Sequence, residues 1–334
     1  MRVIEIERRG GPEVLSLAER PDPRPGPGQV VAEVAAAGVN YMDIYQREGV
    51  AGYRPELPFV TGAEGAGTII AVGDGVTGLA VGDVVAWSAP GSYADRVVLP
   101  ADRVVPVPDG ISAEIAAAAI LQGMTAHYLV TSTYPVRPGD VTVVHAAAGG
   151  VGLLLTQMIK RRAGIVVATC SGANDSGGTE RTGGGGGKPA LARDAGADHV
   201  TTYDQFRAVV GEITGGVGAH VVYDGVGQST FDDSLAALRP RGMLVVYGAA
   251  SGQVPPFDIQ RLNSGGSLFV TRPTLAHYVA DQEELRWRAG EVFDWIAKGE
   301  LDVRIGGRYP LADAARAQQD LAARRTTGKL LLIP

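Results

Sequence analysis

Two hydrophobic rhythms divide this chain. Over roughly the first hundred residues the apolar positions come in short β-type runs broken by Gly and Pro, such as Gln29–Val34, Thr68–Val72, Gly82–Ala86 and Arg96–Leu99. Runs this short predict a compact, barrel-like β domain. An alanine-rich helix is expected from about Ser112 to Leu129, carrying the chain into a second region. From Val141 onward strand and helix patterns alternate: Val141–Ala146, Val151–Arg162, Ile165–Thr169, a helix ending near Ala195, then His199–Thr202 and Gln205–Ile213. Val221–Asp224, Thr230–Leu238 and Met243–Tyr247 extend the series, which predicts a parallel sheet covered on both faces. Past Ser267–Val270 come two helices, about Asp281–Lys298 and Ala312–Arg324, and a last strand Lys329–Ile333. These are too few for a third domain, so they are expected to return and complete the first.

The segment Thr142–Gly152 carries the sharpest signal. It reads as a buried strand, a glycine turn and an amphipathic helix continuing through Lys160. Such a unit sets helix N-terminal N–H groups at the end of a strand, where a pyrophosphate binds. The fingerprint G-x-G-x-x-G takes the form Ala147-Ala148-Gly149-Gly150-Val151-Gly152, with alanine in its first slot. Gly149 lets the backbone approach phosphate oxygens and Gly152 lets helix and strand pack closely. Gly149, Gly150, Val151 and Gly152 are therefore the candidate cofactor-binding turn. A glycine turn alone marks only a tight connection; the flanking strand and helix make it a dinucleotide motif.

Composition narrows the class. A chain of 334 residues, 45% hydrophobic and 20% charged, holds two globular domains with a core each. A net charge of −6 gives no general attraction to nucleic acid or anionic membrane. No apolar run approaches the ~20 residues that span a bilayer. Met1–Arg9 alternates like a strand and has no signal-peptide core, so a cytoplasmic location is expected. Cys170 is the sole cysteine, which leaves no intrachain disulfide and no cysteine-rich zinc site. One stretch breaks the rhythm: Gly172–Gly187 has no apolar residue large enough to anchor it and reads as a disordered surface loop. Its rival reading is a mobile flap over the cofactor's adenine end, with Arg181 near a phosphate.

Several blocks, in order, resemble the quinone oxidoreductase (zeta-crystallin-like) branch of the medium-chain dehydrogenase/reductase superfamily. They are Gly10–Leu15, Gly38–Asp43, Val60–Gly67, His145–Gly152, Val222–Gly227, Val270–Pro273 and Leu331–Pro334. The resemblance runs end to end apart from the insertion 172–187. It implies an α/β protein with a Rossmann doubly wound parallel sheet domain, residues 126–271, and a GroES-like β-barrel-type catalytic domain, residues 1–125 and 272–334. Homodimers that pair the edge strand near Ser267–Val270 are also implied.

Departures from the zinc alcohol dehydrogenases are equally informative. Those enzymes place a metal-binding cysteine in the segment resembling Gly38–Asp43, where this chain has Asn40. They place a histidine before the glutamate of a Gly-His-Glu block, where this chain has Ala63 before Glu64. A catalytic zinc needs about three protein ligands, so no metal is expected; the role of Glu64 stays open.

An NAD-specific Rossmann domain carries an acid near the end of its second strand, and here Ala168–Gly172 has none. Without a carboxylate to repel a 2′-phosphate, NADPH is the expected cofactor. The resemblance implies phosphate contacts from Lys188, Tyr203 and Arg324, although Arg325 lies beside the last. Against these stand plainer readings: a solvated helix-start lysine, a strand-end tyrosine and a helix C-terminal arginine. Tyr247 and Gly248, ending a strand, fit the cofactor crevice, and the resemblance makes Val270 and Arg272 a segment closing over the cofactor.

Nicotinamide carries the hydride, so the protein need only orient, dry and steady the reaction. The resemblance puts Asn40 and Tyr45 beside the nicotinamide, where an amide and a phenol hydrogen-bond a quinone or enone oxygen as charge develops. Thr125 is expected near the nicotinamide ribose or amide, against a plain helix threonine bonding its own backbone. His145 is expected to be packed and bonded to backbone, and Cys170 to be a small core residue. The expected activity is zinc-independent reduction of quinones or related α,β-unsaturated carbonyls by direct hydride transfer from NADPH. An enoyl-thioester (enoyl-CoA) reductase and a non-catalytic NADPH-binding protein are the alternatives.

Overall fold

Val141–Val144 is buried along its whole length, as a valine-rich strand covered on both faces must be. In the computed structural model, which describes residues 1–172 and 187–334, this strand sits inside a parallel sheet. Among the described residues that sheet has six strands in the order His199–Thr201, Ile165–Thr169, Val141–Val144, Ala219–Asp224, Leu238–Val246, Phe269–Thr271. Every pairing is parallel. Two halves wind outward from the central pair, which is the doubly wound dinucleotide order. Helices Gly150–Arg161, Phe206–Ile213 and Phe231–Ala236 cover the sheet, with Phe206, Val210, Phe231 and Leu235 packed on its valines. The expectations for the glycine-rich insertion, Arg181 included, fall on residues 173–186 and lie outside the described residues.

Cα packing divides the chain into Met1–Met124 with Val279–Pro334, and Thr125–Tyr278. Helices Gln282–Ala297 and Ala314–Ala322 and the last strand Lys329–Ile333 lie in the first unit. The return falls at Val279, later than 272, because helix Leu275–Tyr278 stays with the second unit. There the Tyr278 ring stacks on Tyr128 at 4.2 Å, and its hydroxyl accepts from Thr133 Oγ1 at 3.0 Å.

The first unit is built on the long strand Gln29–Val39, which pairs with Gly65–Val72, Arg96–Pro100 and Lys329–Ile333, all antiparallel. Val84–Trp87 and Val104–Pro106 extend one side, and a small sheet of Leu15–Glu19, Arg2–Ile6 and Phe59–Val60 lies apart from it. Trp87, Tyr93, Ile69 and Leu332 are among the side chains of its core. Strand Ile305–Pro310 went unread in the sequence because its Gly306-Gly307 pair and terminal proline are poor strand formers. It forms because Lys329–Ile333 offers a parallel edge, with the register shifted between Ile305 and Gly307. A side chain at 306 would lie 1.7 Å from the Thr327 carbonyl, so glycine is required there. Among the described residues no helix is long and apolar enough to cross a membrane.

Candidate functional site

Six parallel strands put six carboxyl ends on one edge of the sheet, and most of the sequence-derived cofactor residues sit there. After Val144 the chain enters the glycine turn. Helix Gly150–Arg161 has Gly149 as its N-cap, which brings no side chain to bond the first N–H groups and leaves them to an external anion. A Cβ on Gly152 would lie 2.4 Å from the Ala146 carbonyl oxygen and 2.7 Å from Ala147 Cα, so helix and strand meet closely, as its slot in the fingerprint requires. The left-handed residue of the turn is Ala146, at φ 53°, one position before the alanine that fills the first glycine slot. That conformation costs an alanine about 1 kcal/mol. It is tied down by the amide of Gly149 donating to Ala146 O at 2.9 Å and that of Ala147 to Thr169 O at 3.0 Å.

On the neighbouring strand end, Lys188 Nζ donates to Ser171 Oγ at 3.1 Å, beside the position where an acid would select NADH. Lys188 opens the helix Lys188–Asp194. Tyr203 follows the strand His199–Thr201, its ring 5.7 Å from that of His145. Tyr247 and Gly248 follow Leu238–Val246, and both amides donate to the Asp224 carbonyl, at 2.9 and 3.3 Å. Burial pushes the Tyr247 phenol well above its ordinary pKa. Val270 lies in the edge strand opposite Leu244, and exposed Arg272 follows it, its Nη1 3.4 Å from Pro273 O. Thr125 is buried in the helix Ala113–Tyr128.

His145 is buried as expected, but its partners are side chains. Nδ1 lies 2.8 Å from Thr169 Oγ1 and Nε2 lies 2.9 Å from Ser234 Oγ, while Phe206 packs edge-on at 4.8 Å. A strand-end histidine finds hydroxyls here because Thr169 ends the adjacent strand and Ser234 belongs to the helix Phe231–Ala236. Cys170 is a buried core residue whose thiol pKa burial pushes up.

The first unit holds a second cluster. Asn40 precedes helix Tyr41–Glu48, and its backbone N–H donates to Asp43 Oδ2 at 2.8 Å. Its Nδ2 donates to Gly38 O at 3.2 Å and Glu64 Oε1 at 2.9 Å. Its Oδ1 accepts from Gln122 Nε2 at 2.6 Å and Lys329 Nζ at 2.9 Å. Two hydrogens and two lone pairs exhaust an amide, so this geometry leaves Asn40 no hydrogen for a substrate oxygen. Glu64 is buried, ion-paired to Lys329, and accepts from the Leu121 amide at 3.0 Å. Asp43 also accepts from the Tyr93 hydroxyl at 2.7 Å, and burial pushes its carboxyl up to about 7. Tyr45 lies half-buried between Tyr41, 6.2 Å away, and Tyr53, 5.2 Å away. Arg324 lies two residues past the nearby helix Ala314–Ala322, at φ 56°, and its charge faces the Tyr41 phenol. Its neighbour Arg325 is held by Asp320 at 2.5 Å.

Sequence reasoning missed Lys329, Gln122, Asp43 and Tyr53. One signal was present: a lysine opening the apolar run Lys329–Ile333 is buried with the strand only if something pairs it. Tyr53 had none, because its neighbour Tyr45 is eight positions away across a turn.

Comparisons with known proteins agree with this architecture. A family described as Alcohol dehydrogenase GroES-like domain matches residues 26–109, and one described as Zinc-binding dehydrogenase matches residues 195–332. A quinone oxidoreductase of Pseudomonas aeruginosa is 41% identical over 335 residues, covering 99% of each chain. A mycobacterial protein solved in complex with NADPH is 48% identical with a TM-score of 0.93, covering both chains completely. The Escherichia coli quinone oxidoreductase, also solved with NADPH, is 38% identical with a TM-score of 0.93 over the whole of both chains.

The zinc in the second family description does not fit the residues present. Where the zinc alcohol dehydrogenases place a cysteine and a histidine, this chain has Asn40 and Ala63, and the remaining carboxylate, Glu64, is covered by the Lys329 ammonium. Among the described residues no group of three or more His, Cys, Asp or Glu side chains is placed to hold a metal. The chain belongs to the quinone oxidoreductase family of the medium-chain dehydrogenase/reductase superfamily.

Proposed function

We propose that this protein is a zinc-independent, NADPH-dependent quinone oxidoreductase that acts on quinones or related α,β-unsaturated carbonyls. One observation carries the reading: a glycine-capped helix and the Lys188–Ser171 pair stand on the carboxyl edge of a doubly wound sheet whose second strand ends without an acid. Bound NADPH supplies the hydride. In this proposal the turn Gly149–Gly152 holds the pyrophosphate through backbone N–H groups. Lys188 and Ser171 hold the 2′-phosphate, the lysine through charge-assisted hydrogen bonds, with Tyr203 and Arg324 as further phosphate contacts. Tyr247 and Gly248 shape the crevice, Val270 and Arg272 close over the cofactor, and Thr125 orients the nicotinamide.

At the reacting centre the Tyr45 phenol donates to the acceptor oxygen as negative charge develops on it. Asn40, its own amide committed, fixes the start of the helix that carries Tyr45. The buried Lys329 cation supports the reading of zinc independence, since it already neutralises Glu64. A homodimer joined through the edge strand Phe269–Thr271 is part of the proposal; Phe269 is 56% exposed on it. So is a cytoplasmic location, which rests on the need for an NADPH pool.

Steady-state oxidation of NADPH tests the reading, with 1,4-naphthoquinone and crotonyl-CoA as acceptors and with a zinc chelator in one arm. Turnover with the quinone, little with the thioester and no effect of chelation are expected. Preference for crotonyl-CoA would move the chain to the enoyl-thioester reductases. NADPH binding without turnover on any acceptor would make it a non-catalytic cofactor-binding protein.

A further inference from the structure

A buried hydrogen-bond chain runs beneath the carboxyl edge of the parallel sheet, and the chemistry of its members gives it a direction. Asp224 is the fixed end. Its Oδ1 accepts from the amides of Val226 and Gly227 at 2.8 and 2.9 Å, and its Oδ2 from the hydroxyls of Thr230 and Ser234 at 2.7 and 3.0 Å. A serine hydroxyl has one hydrogen. Having given it to Asp224, Ser234 must accept from its other neighbour, His145 Nε2, at 2.9 Å. His145 therefore carries a proton on Nε2. The ring is fully buried, which lowers its pKa and keeps it neutral. Nδ1 is then bare and accepts from Thr169 Oγ1 at 2.8 Å.

The donors thus run in one order, Thr169 to His145 to Ser234 to Asp224, and each strand end they join carries part of the candidate cofactor site. Thr169 lies two residues before Ser171, and its carbonyl receives the amide of Ala147 in the glycine turn at 3.0 Å. His145 directly precedes left-handed Ala146. The Asp224 carbonyl receives the amides of Tyr247 and Gly248. We propose that this directed chain is a positioning device: it holds the glycine turn, the Ser171 strand end and the Tyr247–Gly248 segment in one register. NADPH affinity consequently depends on Ser234 and His145, although both are fully buried. The proposal rests on the NADPH reading above.

The test uses the full chain with 15N-labelled histidine. Long-range proton–nitrogen correlations report the tautomer of each of the five histidines, and His145→Gln identifies the relevant signal. The expected wild-type form is neutral, with the proton on Nε2. In Ser234→Ala the ring shifts toward the Nδ1–H form and the Kd for NADPH rises about tenfold, the size of one buried hydrogen bond. Ser234→Thr restores the hydroxyl and both readouts, which a purely packing role for Ser234 does not predict. A wild-type Nδ1–H tautomer, or an unchanged NADPH Kd in Ser234→Ala, overturns the proposal. Should Ser234→Ala fail to fold, Thr169→Val removes the other end of the chain, and wild-type NADPH affinity there overturns it equally. A wild-type protein that takes up no NADPH removes the functional reading and the positioning role together, and is told apart because the tautomer signal does not need the cofactor.

Discussion

Lys329 and Glu64 form an ion pair across 265 residues of sequence, with side chains 4% and 0% exposed. Neither charge has water to fall back on. The pair joins the last strand to the residues after Phe59–Val60, and the Lys329 ammonium also donates to Val39 O at 3.0 Å. Buried ion pairs gain little over a well-packed apolar pair, but removing one partner strands the other. Lys329→Met should therefore cost about 3–5 kcal/mol. Adding Glu64→Gln should recover much of that, because the uncompensated charge goes with it. Urea unfolding of the two variants decides the matter; a Lys329→Met protein as stable as wild type would show that the pair holds nothing together.

Asp43 gives stability a pH dependence of predictable sign. Its folded pKa, pushed up to about 7 by burial, exceeds the ordinary 3.8, so the native state binds its proton more tightly than the unfolded chain does. The stability it contributes is fully present below about pH 4 and is lost as pH rises through about 7. At about 1.4 kcal/mol per unit the loss is at most roughly 4 kcal/mol. The groups facing it are the Tyr93 hydroxyl, the Asn40 amide, Lys329, which favours the ionised form, and Glu64, which opposes it. Asp43→Asn cannot ionise, so its unfolding free energy should fall less between pH 5 and pH 8 than that of wild type. Parallel pH profiles for the two proteins would remove Asp43 as the source.

Much of the second unit was legible because its information is local. A valine run, a glycine turn and an amphipathic helix lie within twenty residues of one another between Val141 and Lys160. Their burial follows from periodicity alone. The doubly wound order then follows from the repeated strand–helix unit. What escaped depends on contacts between distant segments. Nothing near Lys329 in sequence names Glu64 as its partner, and nothing near His145 distinguishes a backbone carbonyl from Ser234. The strand Ile305–Pro310 exists only because a better strand lends it an edge. Asn40 shows the same limit at the site itself: its type and position were readable, but not that Gly38, Glu64, Gln122 and Lys329 between them occupy its whole amide.

In the proposed site Lys188 should separate the two nicotinamide cofactors. Its ammonium rests on Ser171 Oγ, a neutral partner that a phosphate outcompetes. A charged hydrogen bond is worth about 1.5–3 kcal/mol, so Lys188→Ala should weaken NADPH roughly ten- to hundredfold while changing NADH little. Calorimetric titration with each cofactor measures the ratio. Equal losses for both would take Lys188 away from the 2′-phosphate.

Two glycines of one turn should fail in different ways. A Cβ on Gly152 would meet backbone at 2.4 and 2.7 Å, and that backbone cannot retreat easily: Ala146 already sits at φ 53° and is tied to the amide of Gly149. Gly152→Ala must therefore push the helix Gly150–Arg161 off the sheet, which overpacks the core at a cost of about 1–3 kcal/mol and displaces the N–H groups proposed to hold the pyrophosphate. At Gly149 the backbone is extended, φ −83° and ψ 172°, and the nearest atom to an added Cβ is Ala146 O at 3.2 Å. Alanine fits there with a small adjustment but stands on the path proposed for the phosphate oxygens toward the helix end. Gly152→Ala should lower both the thermal midpoint and NADPH affinity, and Gly149→Ala should lower affinity with the midpoint nearly unchanged. Thermal unfolding and cofactor titration of the two proteins side by side read this out. Wild-type NADPH affinity in both would place the cofactor away from the turn.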